Sequence, residues 1–369
     1  MKNVFGNSIT ATLFGESHGP AVGIVLDGLP AGLPVDFSAI KNELAKRQSK
    51  DKTSTARHEK DDFSILSGVF KNYTTGTPLT IVIKNEDVNS GSYQEGIARP
   101  GHADFVAHAR YNGFEDYRGG GHFSGRITAA FVAAGGILIP ALENLDIKIG
   151  THIMECGGAK DLPFQNLPQD IDFLQEQKFP VLDFVAAEKM TKKILAAAKE
   201  QDSVGGITQT AICGLPVGLG EPWFDSFESM LAHALFSLGG VKGVEFGLGF
   251  AFAKKKGSEA NDSFVVKNGK VQTTSNNNGG INGGLTNGMP VFFQCAVKPT
   301  ASIGKEQKTI DFLKNKNTKI KLQGRHDPAI IRRICPVIDS VAAFVTADFL
   351  CQRFGTDALL KKEMLCNLV

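Results

Sequence analysis

The chain has 369 residues, 42% hydrophobic and 21% charged, with 41 glycines and a formal net charge of +2. That length suits one large or two ordinary globular domains, and the near-neutral balance gives the whole chain no strong pull toward nucleic acid. Six cysteines (Cys156, Cys213, Cys295, Cys335, Cys351, Cys366) stand singly with no Cys-x-x-Cys pair, which argues against a zinc site and for reduced thiols in a cytoplasmic setting.

The first residues, Met1-Lys-Asn-Val-Phe-Gly, carry no apolar leader core, and no unbroken apolar run reaches ~18 residues, so no membrane span is expected. Thr10–Phe14 reads as a strand that ends at Gly15-Glu-Ser-His-Gly19, and Val22–Leu26 as a second strand. His18 is thereby expected at a strand end. Asp36 or Ser38 caps a helix running to about Lys46. Residues 46–60 are polar and basic, with too little apolar content to pack alone. They read as a mobile solvated loop or as a lid that orders over an anion. Phe63–Val69 and Leu79–Ile83 alternate as strands, and a polar connection leads to Arg99. Ile127–Leu142, nearly all Ala, Val, Ile and Leu, predicts a helix buried on all sides. Ile147–Met154, Gly206–Gly214, Val241–Gly249 and Pro290–Val297 read as further strands. Asp161–Pro180 is read as loop, and Val185–Gln201, Ser226–Leu238 and Ile338–Phe354 as helices. Strands and helices mix without βαβ regularity or a dividing linker, which favours an α+β fold.

The chemistry is expected in four loops: Gly15–Gly19, Arg99–Asp104, Arg118–Arg126 and Gly324–Pro328. Each sets Arg, His or Asp beside glycine or proline at the end of an apolar run. Three glycines between Arg118 and Arg126 free the backbone to turn its N–H groups toward an anion. The alternative is a tight turn before a core helix, with its arginines in water. If the loops converge, their arginines and histidines suit a polyanionic ligand. Gly-x-Ser-x-Gly, a complete Walker loop, His-Glu-x-x-His and a strand–helix Gly-x-Gly-x-x-Gly are all missing, so those chemistries find no support.

These motifs, in this order, resemble the chorismate synthase family over nearly the full chain. Gly15-Glu-Ser-His-Gly19 with Asp27-Gly-Leu-Pro is similar to that family's first signature, and Arg99-Pro-Gly-His-Ala-Asp104 to its second histidine motif. Asp116-Tyr-Arg-Gly-Gly-Gly121 with Ser124 and Arg126 resembles the central one. Gly243-Val-Glu-Phe-Gly247, Lys298-Pro-Thr and Gly324-Arg-His-Asp-Pro328 complete the set. The resemblance implies a single large β-α-β sandwich domain, with helices layered between antiparallel sheets, assembled as a homotetramer. It implies a lyase that turns 5-enolpyruvylshikimate 3-phosphate into chorismate with loss of phosphate, using reduced FMN without net redox change. NADPH is a possible reductant, and no metal is implied. His18 and His102 resemble the family's two acid–base histidines, and Asp327 the carboxylate near the flavin's reactive edge. Arg47, Arg99, Arg126 and Arg325 resemble the substrate's anion clamp. FMN would meet His122, Phe123, Ser124, Gly239, Gly240, Gly283, Lys298, Pro299, Thr300, Ala301, Ser302 and Arg325. Two competing readings are a flavin carrier that has lost the reaction and an NADPH-dependent flavin reductase. The chain departs from the pattern at His122-Phe-Ser-Gly-Arg-Ile127, where the family commonly has Arg-Ser-Ser-Ala-Arg-Glu. It also has Gly239-Gly240 for Asn-Ala, and Asp339 where Glu is usual.

Overall fold

The structure, a computed structural model, describes residues 2–48, 53–54, 59–86, 93–322 and 327–360. Its first sheet orders five strands as Val4–Phe5, Thr10–Gly15, Ala21–Asp27, Leu79–Lys84 and Phe63–Ser67, every pair antiparallel. Its second orders Ala159–Lys160, Lys148–Cys156, Gly206–Cys213, Val291–Val297 and Val241–Phe246, again antiparallel throughout. Alternation drives these elements. Leu79, Ile81 and Ile83 are buried while Thr80 and Val82 are half-buried on the other face.

Between the sheets lies a layer of helices. Thr128–Glu143 packs on the first sheet, Ile331–Phe354 on the second, and the two pack on each other, with Phe37–Arg47 against both. A helix covered on every side needs apolar residues all round, which is why both long helices are almost wholly buried. Both pass a length and hydropathy test for a membrane span, and their windows are 83% and 94% buried inside the protein. The observed fold is thus the α+β sandwich with helices between antiparallel sheets.

Close approach in the middle layer depends on two glycines. A Cβ at Gly135 would lie 2.2 Å from Ser340 Oγ, and one at Gly136 would lie 2.5 Å from Ile40 Cα. The same layer anchors the first sheet. The Asp348 carboxylate accepts the backbone N–H groups of Asn7, Ser8 and Ile9 at 2.7–3.0 Å, just before the strand that leads to Gly15.

Several boundaries differ from the sequence reading. Phe63–Val69 is two strands, because Gly68 turns with φ of 84° and Val69–Phe70 joins a separate small sheet. The Asp161–Pro180 loop holds the helix Gln169–Gln175. The final helix begins at Ile331, seven residues before Ile338. The structure adds the strand Lys316–Ile320 and the short helix Gly257–Ala260.

Two expectations follow. An alanine at Gly136 gains about 1 kcal/mol in helix propensity but must push against backbone, and overpacking costs about 1–3 kcal/mol. Gly136→Ala should therefore lower the urea midpoint at unchanged slope. Asp339 supplies the second. It accepts the Thr151 hydroxyl at 2.6 Å. Burial pushes its carboxyl up to about 7, with the Thr151 bond pulling the other way. An unfolded aspartate titrates near ~3.9. Between those values the folded form holds the extra proton, so stability falls as pH rises from about 4 to about 7. Asp339→Asn should remove that component, which shows as a midpoint advantage over the parent at pH 8 that disappears at about pH 4.

Candidate active site

Gly119, Gly120 and Gly121 have φ of 60°, 83° and 53°, three consecutive residues on the left-handed side. Each is pinned by a close neighbour. A Cβ on Gly119 would lie 2.0 Å from His18 Nδ1, on Gly120 2.8 Å from His102 Cε1, and on Gly121 2.2 Å from the Asp116 carbonyl oxygen. The two histidines, 84 positions apart in sequence, thus rest on adjacent glycines of one turn.

The loop carrying His18 is tied to this turn. Ser17 N–H donates to the Gly121 carbonyl at 3.1 Å, and His122 Nδ1 donates to the Gly15 carbonyl at 2.8 Å. Asn85 Nδ2 donates to the carbonyls of Glu16 and Gly19. The His18 ring meets Tyr93 edge-on with centroids 5.4 Å apart, and the Arg99 guanidinium lies 5.3 Å from the same tyrosine ring.

Arg99 grips Asp104 with Nε and Nη2 at 2.8 and 2.7 Å, and His102 Nδ1 lies 2.9 Å from Asp104 Oδ1. Arg99 Nη2 is also 3.0 Å from His102 Nδ1. The ionised carboxylate is the stronger acceptor, so Nδ1–H goes to Asp104. That leaves Nε2 on the edge that meets Gly120. Burial pushes the Asp104 carboxyl up, but hydrogen bonds and charge from Arg99 and His102 outweigh it and hold it well below the usual carboxylate range. Asp104, noted in sequence only as the end of a motif, orients both neighbours.

Arg126 and Arg47 converge on the other side. Arg126 Nε donates to Asn85 Oδ1 at 2.9 Å, and Nη2 to the Lys84 carbonyl at 3.0 Å. Arg47 Nε donates to Thr128 Oγ1 at 3.2 Å, and Nη2 to the Gly125 carbonyl at 2.9 Å. The Nη1 groups of both point at one carboxylate, Asp61. Arg333 links this cluster to Asp327: it donates to the Arg47 carbonyl at 2.9 Å and to Asp327 Oδ2 at 2.6 Å. Burial raises the Asp327 carboxyl, while the charge and hydrogen bond of Arg333 hold it back.

A cavity of about 750 Å³ opens beside the glycine turn, walled by Arg99, His102, Gly120, His122 and Phe123, and across from them by Phe312 and residues 319–322. His18, Arg47, Arg126 and Asp327 do not line it. His18 lies against Gly119, and the other three belong to the arginine cluster joined through Asp61 and Arg333. Ser124, Gly239, Gly240 and the Lys298–Ser302 run do not line the cavity either, and several of them contact neighbouring loops. Lys298 Nζ donates to the Gly101 carbonyl at 2.5 Å and Lys298 N–H to the Gly240 carbonyl at 2.9 Å. Ala301 abuts Gly101, Gly239 faces the Phe123 carbonyl, and Ser124 Oγ caps the Arg126 N–H. Thr300 accepts from Ser203 Oγ at 2.8 Å, and Pro299 lies against Gly205. Gly283 stands apart. It turns the hairpin beside the start of the helix Phe227–Ser237, whose far end leads to Gly239 about 16 Å away. Arg325 falls outside the described residues, as does much of the 46–60 loop.

A family model described as Chorismate synthase matches residues 9–351, a span that includes every motif above. The chain belongs to the chorismate synthase family. Chorismate synthase of Pyrococcus abyssi is 46% identical over 351 residues, covering 94% of this chain and 96% of that protein. The chorismate synthases of Methanosarcina barkeri and Thermococcus gammatolerans are 46% and 44% identical over 355 and 358 residues, with 94% and 96% of this chain and 96% and 99% of those proteins covered. A solved structure titled "Crystal Structure of Chorismate Synthase" superposes with a TM-score of 0.77 at 27% identity, covering 97% of this chain and 96% of that one. Membership in the chorismate synthase family makes the protein a lyase.

The glycine turn supplies the test of this geometry. Gly119→Ala and Gly120→Ala each demand that a histidine ring move, and a displacement near 1 Å costs roughly 100-fold in rate. Both variants should lose at least that much turnover, with circular dichroism showing the sandwich intact.

Proposed function

We propose that the protein converts 5-enolpyruvylshikimate 3-phosphate to chorismate and phosphate by trans-1,4 elimination, the last common step of the shikimate pathway to aromatic amino acids. The reading rests on one observation above all: His18 and His102 meet the same glycine turn, with arginine clusters on either side. His18 gives a proton to the departing phosphate. His102, held at Nδ1 by Asp104, would take or return a proton at Nε2 with reduced flavin bound. Asp327, raised by burial, holds a proton nearer neutrality than a free carboxylate does. Arg47, Arg99 and Arg126, with Arg325, hold the substrate's phosphate and carboxylates.

Reduced FMN fits the residues present. A flavin is flat and apolar with a phosphate tail. The 750 Å³ cavity offers the half-exposed Phe123 ring, Phe312 and the basic residues Lys319 and Lys321. The Lys298–Ser302 run and Gly239-Gly240 are assigned to the same cofactor on the family pattern, and they are joined to each other by Lys298 N–H donating to the Gly240 carbonyl. When bound, the cofactor lends electron density to the substrate as phosphate leaves and recovers it afterwards. Gly283 is assigned in the same way, although its hairpin stands apart from both.

We also infer a cytoplasmic homotetramer. Among the described residues five cysteines are free and buried, and burial pushes the thiols of Cys156, Cys295 and Cys351 up to about 12, as suits inert reduced groups. Trp223, Phe224 and Phe250 are 84–89% exposed and suit burial against another copy. Light scattering of the purified protein tests the assembly.

Phosphate release from the substrate, with chemically reduced FMN under anaerobic conditions, tests the reaction. His18→Ala and His102→Ala should each cut turnover about ten- to ten-thousand-fold. Unchanged turnover in both would defeat the assigned roles. Turnover in air with oxidised FMN and NADPH would show that the protein reduces its own flavin, and failure there with success under the first conditions would assign the electrons to an outside source.

A further inference from the structure

We propose that Asp61 is an internal occupant of the substrate's anion slot, a carboxylate that must leave Arg47 and Arg126 before the substrate's anion can take its place. The inference rests on the reading of those two arginines as part of the substrate clamp.

Asp61 is 4% exposed and lies between guanidinium groups that are nearly as buried. Its Oδ2 lies 3.4 Å from Arg47 Nη1, and its Oδ1 takes Nη1 of Arg126. The two arginines use different donors to hold themselves in place. Arg47 is fixed through Nε and Nη2 to Thr128 and the Gly125 carbonyl, and Arg126 through Nε and Nη2 to Asn85 and the Lys84 carbonyl. These scaffold bonds orient both forks without Asp61. What Asp61 adds is negative charge between two buried cations, which would otherwise be costly. A phosphate or carboxylate from a ligand supplies the same charge to the same two Nη1 groups, so the exchange is anion for anion.

The backbone is suited to release. Asp61 has φ of 57°, a conformation that most L-residues avoid, although Asp tolerates it better than most. It lies outside regular structure, two residues before the strand Phe63–Ser67. On its N-terminal side the segment is held by Gln48 Nε2 donating to the Lys60 carbonyl at 2.8 Å. Rotation about a few bonds near residues 60–62 would withdraw the carboxylate and leave the sheet intact.

The test compares Asp61→Asn and Asp61→Gly with Arg47→Lys. Glycine accepts the left-handed backbone, so it guards against a misfolded asparagine variant. A slot that is open in only ~3–30% of molecules weakens apparent affinity about 3- to 30-fold. Removing the carboxylate should therefore lower the substrate KM by that factor. It should also lower the melting temperature of the ligand-free protein and enlarge the rise produced by inorganic phosphate. Arg47→Lys should raise KM. If Arg47→Lys raises KM while both Asp61 variants leave KM unchanged or raise it, Asp61 is a positioning residue and the occupant proposal is overturned. If Arg47→Lys leaves KM unchanged, the clamp reading fails and the proposal falls with it.

Discussion

Everything near the site depends on one backbone run that only glycine can make. Gly119, Gly120 and Gly121 turn left-handed in succession, and the rings of His18 and His102 occupy the space two β-carbons would need. Ordering three glycines costs more backbone entropy than ordering any other residues. The turn recovers part of that through Ser17 N–H to the Gly121 carbonyl and Gly120 N–H to the Tyr117 carbonyl. The rest comes from its place directly before Thr128–Glu143, a helix held between two others in the middle layer. A rigid floor beneath two titratable rings keeps proton-bearing atoms in register without asking flexible side chains to find each other.

Charge is arranged around that floor in two separate groups. On one side Arg99, Asp104 and His102 form a closed set in which the carboxylate stays ionised. On the other, Arg47 and Arg126 lean on backbone carbonyls of residues 84 and 125. Guanidinium groups held this way keep their orientation through Nε and Nη2 whichever carboxylate or other anion faces Nη1. The buried cations are already compensated from within the chain, Arg47 and Arg126 by Asp61 and Arg99 by Asp104.

The sequence displayed the layers and the motif residues well, because both are written locally. Strand alternation in Leu79–Lys84 and the unbroken apolar face of Thr128–Glu143 are read directly from neighbouring positions. It was less informative where tertiary contacts decide. The final helix starts at Ile331 because Arg332 and Arg333 find partners at Lys178, Gln48, Arg47 and Asp327, and two adjacent arginines otherwise read as an exposed loop. Gln169–Gln175 follows Pro168 in a proline-rich stretch whose turn signals hid a short helix. Asp61, Asn85 and Tyr93 carried no local signal. Each lies in a polar segment, and each matters only through a partner many positions away. Asp104 could have been found, since Arg99, His102 and Asp104 share one tight turn and one short helix start.

The departure at His122 makes sense in the same terms. The family commonly has an arginine there, a permanent cation, and this chain has an imidazole. His122 sits against the cavity, but its Nδ1 is committed to the Gly15 carbonyl at 2.8 Å, and a carbonyl can only accept, so Nδ1 carries the proton. That bond needs no net charge on the ring. It fastens the first residue of the Gly15–Gly19 loop to the glycine turn, beside the Ser17 bond and the two bonds from Asn85. A loop held at Gly15, Glu16, Ser17 and Gly19 leaves His18 little freedom except in its own side-chain torsions. In this chain the side chain at 122 is therefore a strut that fixes the position of the loop carrying His18, and the basic side chains lining the cavity include Lys319 and Lys321.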